Sequence, residues 1–276
     1  MCGVRGSTPA PGAEFARYGG HTSCLALAHD GSTEPTLVLD AGTGIRRVSG
    51  LLDGAPFQGS ILLTHLHWDH TQGLPFFAAG DRPDSRVEVY LPNDGDEAAE
   101  ARFARGMSPP HFAITPAELE GRWSFIALEP GTIELEGFTV TAIEIPHKGG
   151  RTYGYRIEDG ASVLAYMPDH GPSACGPGSD GLGELHPAAL ALAAGADLLV
   201  HDAQHTSDEL ARWVHFGHSA AEYAVRLGLE AGARRVLLFH HGPAREDDEI
   251  DRLVDRVSAE GIGVAAALEG AAIDLP

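Results

Sequence analysis

The chain has 276 residues, with 19 Lys and Arg against 39 Asp and Glu, a formal charge of −20 with histidine neutral. This acidity argues against a long nucleic acid as partner, because affinity for duplex DNA or long RNA comes mainly from Lys and Arg on phosphates. Hydrophobic residues make up 43% of the sequence, enough for a globular core. No apolar run reaches the roughly 18 to 20 residues of a membrane span. The opening MCGVRGSTPAPG lacks the charged-then-apolar pattern of a signal peptide, so the expectation is a cytoplasmic protein without membrane contact.

CLALAH (24–29) and TLVLD (36–40) have the length and composition of strands, and a helical pattern follows at 44–52. SILLT (60–64) leads into a helical pattern at 70–79, and RVEVY (86–90) into one at 96–105. FTVTAIEI (138–145), YGYRIE (153–158) and SVLAY (162–166) form a run of strands without helical patterns between them. Beyond them, helical patterns at 187–195, 218–231 and 246–260 alternate with strands DLLVH (197–201), RVLLFH (235–240) and GVAAAL (263–268). Ala221, Ala224, Val225 and Leu229 predict one apolar face for 218–231, and Ile250, Leu253, Val254 and Val257 do so for 246–260. Several strands are continuous apolar runs, as a sheet covered on both faces requires. The fold class expected is α/β, with mixed sheets and outer helices in one domain, 1–276. Cys2, Cys24 and Cys175 have no CxxC spacing, so neither a disulfide framework nor a Cys-based zinc site is indicated.

Turn chemistry marks the strand ends: DAGTG, THLHWDH, PHKGG, PDHGP, HDAQHT and HHGP, each carrying Asp or His. Ligand crevices of open α/β sheets lie outside the carboxyl ends of strands. The densest segment, Thr64 to His70, packs three imidazoles and a carboxylate into HLHWDH. In an extended stretch His65 and His67 point to one side, and two neutral imidazoles so placed suit a borderline-soft divalent metal. Asp69 and His70 follow as the chain turns into a helix, within reach of a second ion.

The run HLHWDH preceded by LDAGTG resembles the metallo-β-lactamase fold in its two-metal hydrolase form, and the later motifs resemble its ribonuclease Z-like phosphodiesterase branch. The likeness runs from GVRGSTPAPG to FHHGP and implies an αββα sandwich with two zinc ions at one edge; manganese and iron remain open alternatives. Carried over by position, His65, His67 and His147 would hold the first ion, and Asp69, His70 and His240 the second, with Asp169 of YMPDHG bridging them. His241 stays open as the alternative to His240, which stands where RVLLF should end. Asp40 of LDAGTG is expected to orient the 65–70 loop from behind. His170, where related enzymes often have Thr, reads as a solvent-facing loop residue. That branch runs a β-strand into a WGVRGSTP-like loop, whereas this sequence opens at the loop, so a shortened edge strand is expected.

Two cations of this kind can share a water and lower its pKa, making a metal-bridging hydroxide the expected nucleophile. No GxSxG elbow or Cys-His pairing points to covalent catalysis. A phosphodiester also needs a proton for its leaving oxygen and a donor for its non-bridging oxygens. HDAQHT (201–206) and GHS (217–219) resemble motifs that place a carboxylate against a histidine, so Asp202 would orient His218, with His201, His205 and His215 as alternatives. The branch commonly has Glu where this chain has Asp202. Asp69, His218 and Asp202 are the candidate catalytic groups, and Ser219 is a candidate cap for the helix that follows.

Ribonuclease Z enzymes carry a long arm that grips tRNA between the positions of His147 and Asp169, whereas 22 positions separate them here. The expectation is therefore a small anionic substrate, a small or cyclic phosphodiester. Segment 104–119, with Met107, Pro109-Pro110 and Phe112, would line the pocket or simply cross the surface. A carbonyl-directed hydrolase (lactonase, thioesterase or β-lactam hydrolase) and a non-catalytic metal-binding sensor are the competing functions. Homodimers are common among such relatives, and no interface is legible in the sequence.

Overall fold

The computed structural model describes residues 1–276. Strands β1 (Leu25–Leu27), β2 (Leu37–Leu39), β3 (Gln58–Leu62), β4 (Arg86–Pro92) and β5 (Arg122–Leu128) lie side by side in chain order as a five-stranded sheet. A seven-stranded sheet follows, again in chain order: β6 (Gly131–Leu135), β7 (Phe138–Glu144), β8 (Tyr153–Asp159), β9 (Ser162–Met167), β10 (Leu198–Asp202), β11 (Arg235–Phe239) and β12 (Gly263–Ala266). Both sheets are mixed. In the first only β1–β2 is antiparallel; in the second β6 to β9 is an antiparallel meander and β9 to β12 is parallel. The helices are α1 (Ile45–Leu51), α2 (Trp68–Thr71), α3 (Ala99–Ala104), α4 (Pro187–Ala193), α5 (Ser207–Trp213), α6 (Ala221–Ala231) and α7 (Asp247–Val257). No helix is long and apolar enough to cross a membrane.

Side-chain alternation sorts these strands into layers. Leu37, Leu39 and Leu62 face Val140, Tyr155, Leu164, Val200 and Phe239 in a core between the sheets. Their neighbours Val38 and Ile61 turn outward to pack with Ile45 and Val48 of α1 and Phe103 of α3. On the far side Ala165, Leu199 and Leu238 pack with Leu192 of α4, Leu227 of α6 and Leu253 of α7. The αββα sandwich expected from the sequence is thus the architecture observed, and burial on both faces explains the unbroken apolar runs.

The differences have local causes. Strands β5 and β6 were not expected, and both are largely half-buried or exposed, so their apolar pattern is diluted. Helix α5 buries only Leu210, and its signal is the Thr206–Glu209 capping box rather than an apolar face. The helix expected over 70–79 is reduced to α2 and a 3-10 turn at Leu74–Phe76, since Gly73 and Pro75 interrupt it. Helix α6 begins at Ala221 rather than 218, because Ala220 is extended and bridges to His205. Leu229 is exposed, and Tyr223 and Leu227 complete the buried face in its place.

The loop after β2 packs against the loop after β3 with no room for a side chain. A Cβ at Gly42 would lie 2.2 Å from the Asp69 carbonyl oxygen and 2.5 Å from Thr22 Oγ1. Gly42→Ala is expected to destabilise the fold by about 1–3 kcal/mol in urea unfolding. An unchanged midpoint would show that the contact yields.

Candidate metal centre

Strand ends deliver the site. Asp40 follows β2, the 64–70 loop follows β3, His147 follows β7, Asp169 follows β9, Asp202 ends β10 and His240 follows β11. Asp40 and His240 both adopt left-handed backbone, with φ of 58° and 57°. Asp and His tolerate that region better than most residues, yet it still costs about 1–3 kcal/mol. At both positions the chain turns abruptly off the sheet and the side chain is presented at its edge.

All seven residues expected from the sequence as ligands converge. His65, His67, His147 and Asp169 offer ligand atoms within 4.8 Å of one another, as do Asp69, His70 and His240. Asp169 spans the two groups: Oδ2 lies 3.4 Å from His147 Nε2 and 3.8 Å from His65 Nε2, while Oδ1 lies 3.0 Å from His70 Nε2 and 3.1 Å from His240 Nε2. His240 Nε2 is also 3.0 Å from Asp69 Oδ2. His241 turns away and bonds the Ala267 carbonyl at 2.8 Å, so of the adjacent pair only His240 reaches the cluster.

The residues behind these atoms fix ring orientations. His70 Nδ1 meets Asp40 Oδ2 at 2.8 Å and His147 Nδ1 meets the Gly217 carbonyl at 2.6 Å, which leaves the two Nε2 atoms facing inward. Asp40 is fully buried and also accepts from Thr64 N–H and hydroxyl at 2.8 and 3.0 Å and from the Tyr166 hydroxyl at 3.0 Å. Ser7 N–H donates to Asp69 Oδ2 at 2.7 Å. Gly6 lies under the His240 ring, where a Cβ would come within 2.4 Å of Nδ1.

Whether a cation fits can be tested on the polar atoms. His65 Nε2, His70 Nε2 and Asp169 Oδ1 are buried and make no hydrogen bond, although they converge. A buried polar atom left without a partner costs about 1–3 kcal/mol. Imidazole nitrogens and carboxylate oxygens in this number suit zinc or a similar divalent ion. Protonation states agree for the first group, whereas burial lowers His70 but Asp169, Asp69 and Asp40 outweigh it and hold that imidazole well above its usual range, so a cation there would take the place of a proton. Burial pushes His67 down to about 4, helped by His147, and burial also lowers His65 and His147, so all three favour the neutral, ligating form. Burial opposes ionisation of Asp69, but His70 and His240 outweigh it and hold the carboxyl far below its usual range. The residues present fit a metal.

Beside the cluster His218 Nδ1 lies 2.9 Å from Asp202 Oδ2 and 3.7 Å from Asp169 Oδ2. Burial pulls His218 down, yet Asp202, backed by Asp169 and Asp69, outweighs it and raises the imidazole to about 9. Asp202 reaches His218 despite its shorter side chain because it is anchored from several sides. It accepts from the backbone N–H of His170 at 3.1 Å, of Ser219 at 3.3 Å and of Gln204 at 3.0 Å. Ser219 does not cap α6; its hydroxyl donates to the His170 carbonyl at 2.7 Å. His170 is not solvent-facing as expected: it is fully buried, with Nδ1 2.9 Å from His201 Nε2. That contact also removes His201 from the candidates for the Asp202 partner, and His215 is exposed and packs on Phe216. In segment 104–119 Met107 is buried and Phe112 packs edge-on to Phe76.

Tyr166, Ser7 and Gly6 were missed in the sequence. Tyr166 reads there as a strand residue, and only the GVRGSTP loop gave a signal for the other two.

Known proteins share this architecture. Residues 36–241 match the family model described as beta-lactamase superfamily domain. The chain is 30% identical over 236 residues to a ribonuclease Z of Exiguobacterium sibiricum, covering 70% of this chain and 74% of the relative. In structure it is similar to the metallo-beta-lactamase fold protein YhfI from Bacillus subtilis, with a TM-score of 0.68 at 19% identity, covering 98% of this chain and 95% of the other. It is also similar to human tRNase Z, short form, with a TM-score of 0.66 at 19% identity, covering 100% and 98%.

These likenesses overturn one expectation. Exclusion of long nucleic acid, drawn from the net charge and the short span between His147 and Asp169, does not stand, because the curated relative is a ribonuclease. Net charge sums the whole surface, whereas a phosphate responds to the local field, and bound cations can invert that field.

Asp40→Asn keeps the size of the side chain but weakens its hold on His70. It is expected to lower metal affinity about 10- to 100-fold, read by competition with a chromogenic chelator. Unchanged affinity would remove Asp40 from the metal centre.

Proposed function

We propose a reaction and a division of labour for a chain that belongs to the β-lactamase superfamily, in its ribonuclease Z-like branch: it is a metal-dependent hydrolase whose scissile bond is a phosphodiester. The observation that carries this reading is the Asp202–His218 pair, 2.9 Å long and set against the ligand cluster. A structural metal site has no use for a buried, raised-pKa imidazole beside it, and attack on a carbonyl does not require a donor aimed at phosphate oxygens.

His65, His67, His147, Asp69, His70 and His240 would hold two divalent cations, zinc in the first instance, with Asp169 between them. Bound there, such a pair supplies Lewis acidity and activates water at neutral pH. The remaining work falls to the chain. His218 Nδ1 donates to Asp202, which leaves Nε2 free to contact a non-bridging oxygen and give its proton to the leaving oxygen as the ester P–O bond breaks. The oxygen of the attacking water forms the new P–O bond and its proton passes to solvent, while the ionised Asp69 carboxylate accepts a hydrogen bond that orients the water. Asp202 keeps the imidazole oriented and charged.

The finer reading is that a small or cyclic phosphodiester suffices as substrate, with RNA a substrate of the same chemistry. The short connection through β8 and β9 between His147 and Asp169 supports it. The cytoplasm is the location that goes with this reading.

The purified protein is expected to bind about two metal ions per chain by elemental analysis, and His65→Ala to lose metal and activity together. His218→Ala should keep both metals and lose about 10²- to 10⁴-fold in kcat on bis(p-nitrophenyl) phosphate. Full metal loading without turnover of that ester, of cyclic nucleotides or of RNA sinks the reading. Normal turnover of a lactone or thioester by His218→Ala would instead favour a carbonyl-directed hydrolase.

A further inference from the structure

A cavity of about 840 Å³ opens between α1 and the 72–78 segment that follows α2, and plays no part in the chemistry above. Arg46, Arg47, His21, Thr43, Gln72 and Phe76 line it, and no carboxylate does. In a chain with 39 acidic residues this is a local reversal of sign. The contrast is a cavity of about 440 Å³ walled by Glu14, Glu246, Asp247 and Asp248 with one arginine. Arg46 is exposed and enters no ion pair. Arg47 shares its charge with Glu269 at the rim, 3.1 Å away, so the cavity keeps a net positive charge.

Its wall is continuous with the ligand segment. Gln72 and Gly73 follow His70 closely in the chain, and Ala41 pins both parts, donating its N–H to the His70 carbonyl and accepting from Gly73 N–H. Trp68 precedes Gln72 by four residues, which places the two on one face of the helical turn. Between the ligands His67 and Asp69, it is 77% exposed and its indole makes no hydrogen bond. A flat aromatic surface thus stands next to the ligands, on the helical face that it shares with Gln72 of the cavity wall. Aromatic surface plus cationic groove is the chemistry that holds single-stranded nucleic acid.

Resting on the phosphodiester reading, we propose that this cavity is a subsite for a neighbouring phosphate of a nucleic acid strand whose scissile phosphate lies at the metal centre, with Trp68 stacking a base between them. Arg46 and Arg47 then act on substrates that have a second phosphate and are idle for those that do not.

The test compares the metal-loaded wild type with R46E/R47E and W68A on a single-stranded pentanucleotide and on bis(p-nitrophenyl) phosphate, over a salt series. R46E/R47E is expected to raise KM for the pentanucleotide and to reduce the slope of log(kcat/KM) against log salt by about 1 for each phosphate no longer neutralised. R46K/R47K should retain the slope, and W68A should raise the pentanucleotide KM about tenfold at an unchanged slope. Turnover of bis(p-nitrophenyl) phosphate by R46E/R47E should stay within about twofold. Equal changes on both substrates, or none on either, overturn the subsite. If 5′-AMP binding is lost in R46E/R47E while pentanucleotide kinetics are unchanged, the cavity is an effector site and the strand assignment fails. Pentanucleotide binding, followed by fluorescence anisotropy, reads the subsite independently of turnover. Should the wild type hydrolyse neither substrate yet bind the pentanucleotide in a salt-dependent way that R46E/R47E abolishes, the subsite is upheld while the reaction assignment fails.

Discussion

The Asp40 carboxylate is the interaction on which the rest depends. It is fully buried, yet it receives donors from the segment after β3 (Thr64), from β9 in the other sheet (Tyr166), and from the ligand His70. A carboxylate in that position is tolerable only because every lone pair is engaged. Its bonds therefore do two things at once: they stitch the two sheets together at one edge, and they aim an imidazole. The left-handed backbone at Asp40 belongs to the same device, since it turns the carboxylate off the end of β2.

The same economy holds across the site. Asp169 faces both ligand groups and lies within ion-pair distance of His218. Asp202 is held by three backbone N–H groups, one of them from His170, the residue after Asp169. The carboxylate between the two ligand groups and the carboxylate behind His218 are thereby coupled through one peptide unit. This explains how the short side chain of Asp202 reaches His218: the backbone has been brought to it.

Much of this was legible in the sequence, for physical reasons that differ from part to part. HLHWDH and the strand-end Asp and His residues could be read because metal ligation demands particular side chains at strand ends, and β2, β3, β10 and β11 because a doubly covered strand must be apolar throughout. The edge strands β5 and β6 and helix α5 escaped because each buries too little to leave a periodic pattern. His170 was misjudged because polarity predicts exposure only when no partner is available, and its partner, His201, lies 31 positions away. Net charge misled about partners for a related reason: it carries no information about where the charges sit, and Arg46 and Arg47 of α1 line a cavity that no carboxylate lines.

The N-terminal loop and the last ligand meet at the site. Gly6 fits beneath the His240 ring, Ser7 holds Asp69, and Arg5 is buried against the carbonyls of Gly19, Gly242 and Arg245. This closure sets an order of events during synthesis. A nascent chain that has emerged only past His70 can present the HLHWDH cluster, but not His147, Asp169 or His240, and so offers incomplete and unshielded coordination. Because domains complete their folding only when their distant segments are available, the candidate ion sites would mature late in translation, once His240 has emerged. Metal acquisition would then be a late step, open only to a chain that has closed its N-terminal loop over His240.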